Sequence, residues 1–290
     1  MSRWISILLL WHVLLGCAEA TKPASGKIKT FVSIPPLSFF VERVAGPFAE
    51  VNVMVDQGQD AHTYEPTPQQ MSSLAESQFY FSIGLPFEET LLPKIIALNH
   101  SLKVIDANFG IRRRIIGTAE SADPEHAGLP DPHTWLDPRL AKIQAQNIES
   151  ALAQFDPSHV TDYQANLQAL HNDLDRLDAN LAGALKPYRG QTILVFHPAF
   201  GYFCDAYGLV QMAVEIEGQE PSARQLADLI EKAKAKKIQI IFAQPQFSTV
   251  VVRRIAESIG AAVAPMNDLA PDYLENLQNM ADRIAQQFRR

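Results

Sequence analysis

Ser158–Lys186, SHVTDYQANLQALHNDLDRLDANLAGALK, decides the architecture. Its apolar residues are Val160, Tyr163, Leu167, Leu170, Leu174, Leu177, Leu181 and Leu185, spaced 3, 4, 3, 4, 3, 4 and 4 apart. Such spacing marks one face of an α-helix. Ser158, following Pro157, is the expected N-cap, and Pro187 is the stop. A helix of these 29 residues would be about 43 Å long. It suits either a coiled-coil partner surface or a rigid strut along the back of two lobes. A single copy of only about four heptads favours the strut.

Outward from this helix, both halves alternate short β-rich runs with amphipathic ones. Before it, Ile28–Ile34, Val51–Val55, Phe79–Ile83 and Lys103–Asp106 read as strands. Pro36–Val44, Pro68–Glu76 and Phe87–Leu98 read as helices. After it, Thr192–Phe196, Leu209–Val214 and Ile238–Ala243 read as strands, with Ser222–Ala235 and Ser248–Ile259 as helices. Alternation of this kind predicts an α/β fold with a parallel sheet flanked by helices in each half. The expected division is a leader at 1–20, an N-terminal lobe at 21–157, the linking helix at 158–187 and a C-terminal lobe at 188–290.

The chain has 290 residues, 25 Lys+Arg against 32 Asp+Glu, a net charge of −7 and 47% hydrophobic residues. An apolar share of that size builds a core, which a disordered chain lacks. The acidic balance argues against a nucleic-acid partner, which requires a cationic face. The basic runs Lys232–Lys237 and Arg112–Arg114 are expected to be solvated.

Residues 1–20 read as an export signal. Arg3 supplies the positive start, Trp4–Gly16 is a 13-residue mostly apolar run, and Ala18-Glu19-Ala20 offers small residues for cleavage. The run is shorter than the roughly 20 residues a bilayer requires. Leu14-Leu15-Gly16-Cys17 also reads as a lipobox, with Cys17 as the lipidated first residue, although Leu15 is unusual at its position. Both readings place the protein outside the cytoplasm, in the periplasm. Only Cys204 then remains unless Cys17 is retained, so no disulfide is expected.

Among eight histidines, His62, His133 and His197 share an environment. Each sits in a short segment braced by proline or aromatic residues, as in DAHTYEP, DPHTWLDP and FHPAF. Proline restricts itself and the residue before it, which stiffens these loops. His62 and His197 follow the carboxyl ends of expected strands, where open α/β sheets bind ligands. Three neutral imidazoles nearly complete a tetrahedral zinc site. Their spacings, 71 and 64 residues, match no local zinc motif, and most single histidines are surface or core residues. Residue pattern alone therefore leaves the site open. His100, His159 and His171 read as surface residues.

DAHTYEPTP (Asp60–Pro68), HTWLDP (His133–Pro138) and FHPAFGYF (Phe196–Phe203) resemble three signatures of the zinc- and manganese-specific solute-binding proteins of ABC importers. FSIGLPFE (Phe81–Glu88) and EIEGQEPSARQL (Glu215–Leu226) resemble the same family, in the same order. The likeness runs from Ile28 to the C-terminus. It implies two parallel-sheet lobes joined by one long helix, with the metal between them. It also implies His62 and His133 as ligands from the first lobe and His197 from the second. The family often adds a late Asp. Here alignment puts Asn267 at that position, and a one-residue shift makes Asp268 the candidate fourth ligand; water or Glu65 are the alternatives. Zinc-binding relatives often carry a His-rich loop before the second signature, whereas Glu120–Asp131 contains only His126. Asp137 reads either as a partner of the ligand loops or as the cap of a helix starting near Pro138. Glu217 and Glu220 carry the same pair of readings. Tyr64, Trp135, Phe200 and Tyr202 read as an aromatic wall of the site or as interlobe core.

Nitrogen ligands suit Zn²⁺, whereas oxygen ligands suit Mn²⁺. The expectation is a monomeric solute-binding protein that captures Zn²⁺ as transported ligand, delivers it to an ABC transporter permease and catalyses nothing. A manganese- or iron-binding importer protein of the same family is the near alternative. A three-His zinc hydrolase is the alternative of another class, but no HExxH, GxSxG or Gly-rich phosphate loop is present. A surface adhesin is a third reading that these residues do not discriminate.

Overall fold

Val160–Leu185 forms one α-helix (α5), extended by 3-10 turns at Pro157–His159 and Lys186–Tyr188. The computed structural model describes residues 26–116, 130–215, 221–247 and 249–289. Residues 1–20 with Cys17, His126, Glu217 and Glu220 lie outside the described residues. Seven of the eight stripe residues of α5 are buried, and Val160 is half-buried. Each buried leucine there contributes roughly 1.5–3 kcal/mol. The stripe lies against other helices of the same chain, so α5 is a strut. Its start differs from expectation. Ser158 does not cap the helix; its hydroxyl bonds to the Asp156 carboxylate. That carboxylate also takes His159 Nδ1 at 2.5 Å and the Tyr163 hydroxyl at 2.9 Å. The proline-led turn needs its own partner before α-helical bonding begins. His159 is correspondingly not a plain surface residue, since its ring stacks on Phe48 with centroids 3.8 Å apart.

Before the strut, the order is β1 (Ile28–Val32), α1 (Pro35–Ala45), β2 (Ala49–Val53), α2 (Pro68–Ala75), β3 (Phe79–Ser82), α3 (Pro86–Leu98), β4 (Lys103–Asp106) and α4 (Pro138–Phe155). After it come β5 (Thr192–Val195), α6 (Gly201–Tyr207), β6 (Val210–Ala213), α7 (Ala223–Ala235), β7 (Ile240–Ala243), α8 (Thr249–Ile259), β8 (Ala262–Pro265) and α9 (Tyr273–Phe288). The first sheet is ordered β2-β1-β3-β4 and the second β6-β5-β7-β8. Every pairing between these strands is parallel. The α/β expectation is therefore borne out, and both sheets reverse direction at their first strand. The sequence reading missed β8. This edge strand is Ala-Val-Ala-Pro, mostly exposed, and an edge needs only one partner and little apolar pattern.

One apolar core runs from Phe31 and Phe81 in the first sheet through Leu170 and Leu174 on the strut to Val195 and Phe242 in the second sheet and Met280 on α9. A smaller core, with Leu194, Ile241, Leu229 and Ile255, lies under α7 and α8. No helix among the described residues is long and apolar enough to cross a membrane. Cys204 is buried and unpaired.

Arg114 departs from its expected solvated place. Its guanidinium bonds to Asp131 at 3.1 Å and to Asp205 on α6 at 3.1 Å, and lies over the Tyr202 ring. A Cβ on Gly201 would come within 1.3 Å of that guanidinium, so a larger residue there would displace it. The lysines of Lys232–Lys237 are exposed, as read.

Candidate metal centre

The carboxyl ends of both sheets face a common space, and three loops carry the histidines into it. His62 lies on the loop after β2. Asp60 shapes that turn, with Oδ1 accepting from the His62 backbone N–H at 2.9 Å and Oδ2 from the Thr63 hydroxyl at 3.0 Å. His133 opens a 3-10 turn, Thr134–Leu136. Asp131 Oδ1 accepts from its backbone N–H at 3.0 Å and from Nδ1 at 2.7 Å. Beneath it, the Thr134 hydroxyl and the Gln144 amide both donate to Asn108 Oδ1 at 2.7 Å. His197 stands two residues past the end of β5. Its backbone is held on both sides by the Gln244 side chain, and its Nδ1 lies 2.5 Å from Glu215 Oε2.

These partners orient two of the rings. A carboxylate only accepts, so His133 and His197 donate to it from Nδ1 and turn Nε2 toward the cavity. Burial, reinforced by His133 and His197, pushes His62 down to about 2, so its ring is neutral. Burial alone would raise Asp131, but His133 and Arg114 outweigh it and hold the carboxyl below its usual range. His197 Nε2 lies 3.2 Å from His62 Nε2 and 3.2 Å from His133 Nε2. All three donor atoms lie within 4.8 Å of one another. Imidazole nitrogens this close either share a proton or, both deprotonated, hold a cation between them. Nitrogens bound about 2.0–2.1 Å from a tetrahedral ion are themselves about 3.3 Å apart. The two 3.2 Å separations therefore match neighbouring donors of one small divalent ion.

The enclosed cavity measures about 10 Å³, room for one water-sized body. Trp135 and Phe247 form its aromatic wall, with the Phe247 ring 5.1 Å from that of His197. Of the other expected wall residues, Tyr64 instead bonds to Gln70 at 2.6 Å. Phe200 is core, and the Tyr202 hydroxyl donates to the Asp131 carbonyl at 3.1 Å. Asp268 lines the cavity and is 3% exposed. Asn267 turns away, its Oδ1 accepting from the Leu269 N–H at 2.9 Å. Glu65 is exposed and does not line the cavity. Asp137 caps α4, accepting from the Arg139 N–H at 2.9 Å. His100 is exposed, and His171 is half-buried with Nε2 donating to the Lys142 carbonyl at 3.2 Å.

The sequence reading missed Asp131, Glu215, Gln246 and Phe247 at the site. Asp131 stood two residues before His133, and Glu215 opened a matched stretch. Gln246 and Phe247 carried no local signal.

The family model for the periplasmic A component of zinc-uptake complexes, ZnuA, matches residues 31–287. A crystal structure of ZnuA aligns with a TM-score of 0.84 at 40% identity, covering 90% of this chain and 99% of that one. A zinc-bound internal deletion mutant of ZnuA aligns equally well, at 0.84 and 40%, covering 90% of this chain and 98% of its own. The high-affinity zinc uptake system protein ZnuA of Bacillus subtilis (strain 168) is 27% identical over 258 residues, 84% of this chain and 79% of its own length. Three converging imidazoles between two parallel sheets thus occur in a chain that matches a zinc-uptake model over nearly its whole length, and the chain belongs to the ZnuA family of zinc-uptake proteins.

Proposed function

We propose that this chain captures one Zn²⁺ outside the cytoplasm through Nε2 of His62, His133 and His197, and hands it to the permease of an ABC importer. The observation that carries the reading is the gathering of three imidazoles from both lobes around one cavity, with possible donor atoms within 4.8 Å of one another. Ligands from both lobes make ion binding sensitive to how the lobes sit, so a permease reads the loaded state through differential affinity for two arrangements. The shared core, the Trp135 Nε1 bond to the Asp268 carbonyl at 2.8 Å and the Arg114 clamp favour a small tilt over wide closure. Export through residues 1–20 and release into the periplasm belong to the same reading, with a lipid anchor at Cys17 as its variant. All-nitrogen donors support zinc over manganese. A cavity of about 10 Å³ holds an ion and no organic substrate, which favours transport over hydrolysis.

Trp135 is the only tryptophan beyond residue 20, and its ring centroid lies 5.2 Å from that of His133. Zn²⁺ added to the metal-free chain is expected to change its fluorescence and saturate near one equivalent. The triple variant His62→Ala, His133→Ala, His197→Ala is expected to lose the response. One tight zinc retained by that variant overturns the assignment.

A further inference from the structure

Helix α6 begins four residues after His197, so its position bears on that of the His197 loop. Three of its residues meet the first lobe. The Arg114 guanidinium lies against Gly201, in space that a Cβ would occupy. The Tyr202 hydroxyl accepts from the Arg114 backbone N–H at 2.9 Å and donates to the Asp131 carbonyl at 3.1 Å. Arg114 Nε pairs with Asp205 Oδ2 at 3.1 Å. On the first-lobe side, the Asp131 backbone N–H donates to the Arg114 carbonyl at 2.8 Å. The Asp131 carboxylate is divided: Oδ2 takes Arg114 Nη1 at 3.1 Å, and Oδ1 takes His133 Nδ1 at 2.7 Å. One guanidinium therefore joins the carboxylate that orients His133 to the helix that follows His197.

The two ends of this relay differ in exposure. Asp131 is fully buried, whereas the Asp205 side chain is 63% exposed. An ion pair with one wet end is weak, worth a factor of about one to five in an equilibrium, and it opens without unfolding its surroundings. Opening it frees the guanidinium to leave Asp131 and frees α6 to move with the His197 loop. Rings contributed by the two lobes then lose their mutual alignment together.

We propose that the Arg114–Asp205 pair is the latch that sets how fast the ion leaves the site. The proposal rests on the three-histidine reading and adds two positioning residues to it. Arg114 acts on His133 through Asp131, and Asp205 acts on His197 through α6. Contacts that tighten after the first encounter act on release more than on capture.

The test is stopped-flow release of Zn²⁺ from the whole mature chain into a chromogenic chelator, in such excess that the rate no longer depends on chelator concentration. Asp205→Asn keeps the size of the side chain and removes its charge. It is expected to speed release about threefold, while the rate of Zn²⁺ capture changes less than about twofold. Arg114→Gln is expected to speed release about tenfold, the scale of a lost hydrogen bond to a charged group. Adding Asp205→Asn to Arg114→Gln is expected to give no further gain, because the guanidinium it acts through is gone. Added sodium nitrate is expected to speed release more in the wild type than in Asp205→Asn, since salt screens the exposed end of the latch. A purely structural role for Asp205 leaves the two salt responses equal. The Asp205 comparison stands by itself if Arg114→Gln does not fold, because Asp205 lies at the surface. Equal release rates in wild type and Asp205→Asn, equal salt responses, or additive effects in the double variant overturn the latch and leave the three-histidine reading intact. A wild type that takes up no zinc overturns that reading, and the latch with it.

Discussion

The two lobes share a strand order and one core, but only the second adds a core of its own. Both sheets run second-first-third-fourth, all parallel, yet the first packs wholly into the core that includes the strut, whereas the second divides its residues between two cores. Phe31, Phe81 and Leu174 belong to the shared core, along with Val195 and Phe242. Leu194 and Ile241, on the other face of the second sheet, belong to the smaller core under α7 and α8. His197 stands at this boundary, since Phe196 is in the outer core and Ala199 in the shared one. The first lobe and the strut therefore form one block, while the outer layer of the second lobe can loosen by itself, taking the Gln246–Phe247 side of the site with it. Regions with fewer shared apolar contacts open at lower free energy.

Paired cavity mutations test this difference most strongly. Leu174→Ala and Ile241→Ala each empty a fully buried position and are expected to cost about 2–5 kcal/mol. Hydrogen exchange is expected to rise throughout both lobes in Leu174→Ala, but mainly in α7, α8 and β8 in Ile241→Ala. Identical exchange maps would dissolve the distinction between the two cores.

A smaller effect separates the two carboxylate–histidine pairs. Asp131 is shared between His133 and the interlobe Arg114, whereas Glu215 bonds to His197. Glu215→Gln and Asp131→Asn are each expected to weaken Zn²⁺ binding about 10–100-fold in calorimetric titration. Only Asp131→Asn is also expected to lower the melting temperature of the metal-free chain by several degrees, because it removes the buried carboxylate that orients Arg114 toward Asp205 in the other lobe. Equal melting temperatures would show that the Arg114–Asp205 contact does not depend on Asp131.

The smallest expected effect lies on the strut. Burial, more than any other influence, lowers His171 below the ordinary 6.5. In the unfolded chain this ring takes its proton first as pH falls, so its contribution to stability is present above about pH 6.5 and fades below it. His171→Gln is expected to flatten the fall in stability between about pH 7 and pH 5 slightly, read as urea midpoints. A fall of unchanged slope would assign the dependence to other groups.

Legibility followed the range of the signal. The strut was readable because its stripe repeats through more than two dozen residues and only a helix buries such a stripe on one side. The three converging histidines were readable because proline and aromatic residues stiffened their loops and the flanking stretches resembled a family. Alignment alone put Asn267 in the ligand position and left Asp268 one residue away. The fold brought Asp268 into the cavity wall and turned Asn267 back into its own loop. β8 escaped because an exposed edge strand needs little apolar pattern. Arg114 looked like a surface cation because nothing nearby in sequence announces Asp205, 91 residues later.

Periodicity and stiff turns, both local properties, by themselves determined two α/β halves, a helix between them and three histidines in braced loops. Only the tertiary structure decided that three Nε2 atoms converge, which carboxylates orient two of them, and how Gln246 and Trp135 hold Asp268. Apart from Asp131, which stands beside His133, those choices depend on side chains meeting across 18 to 138 residues of chain, and no short-range pattern encodes such meetings.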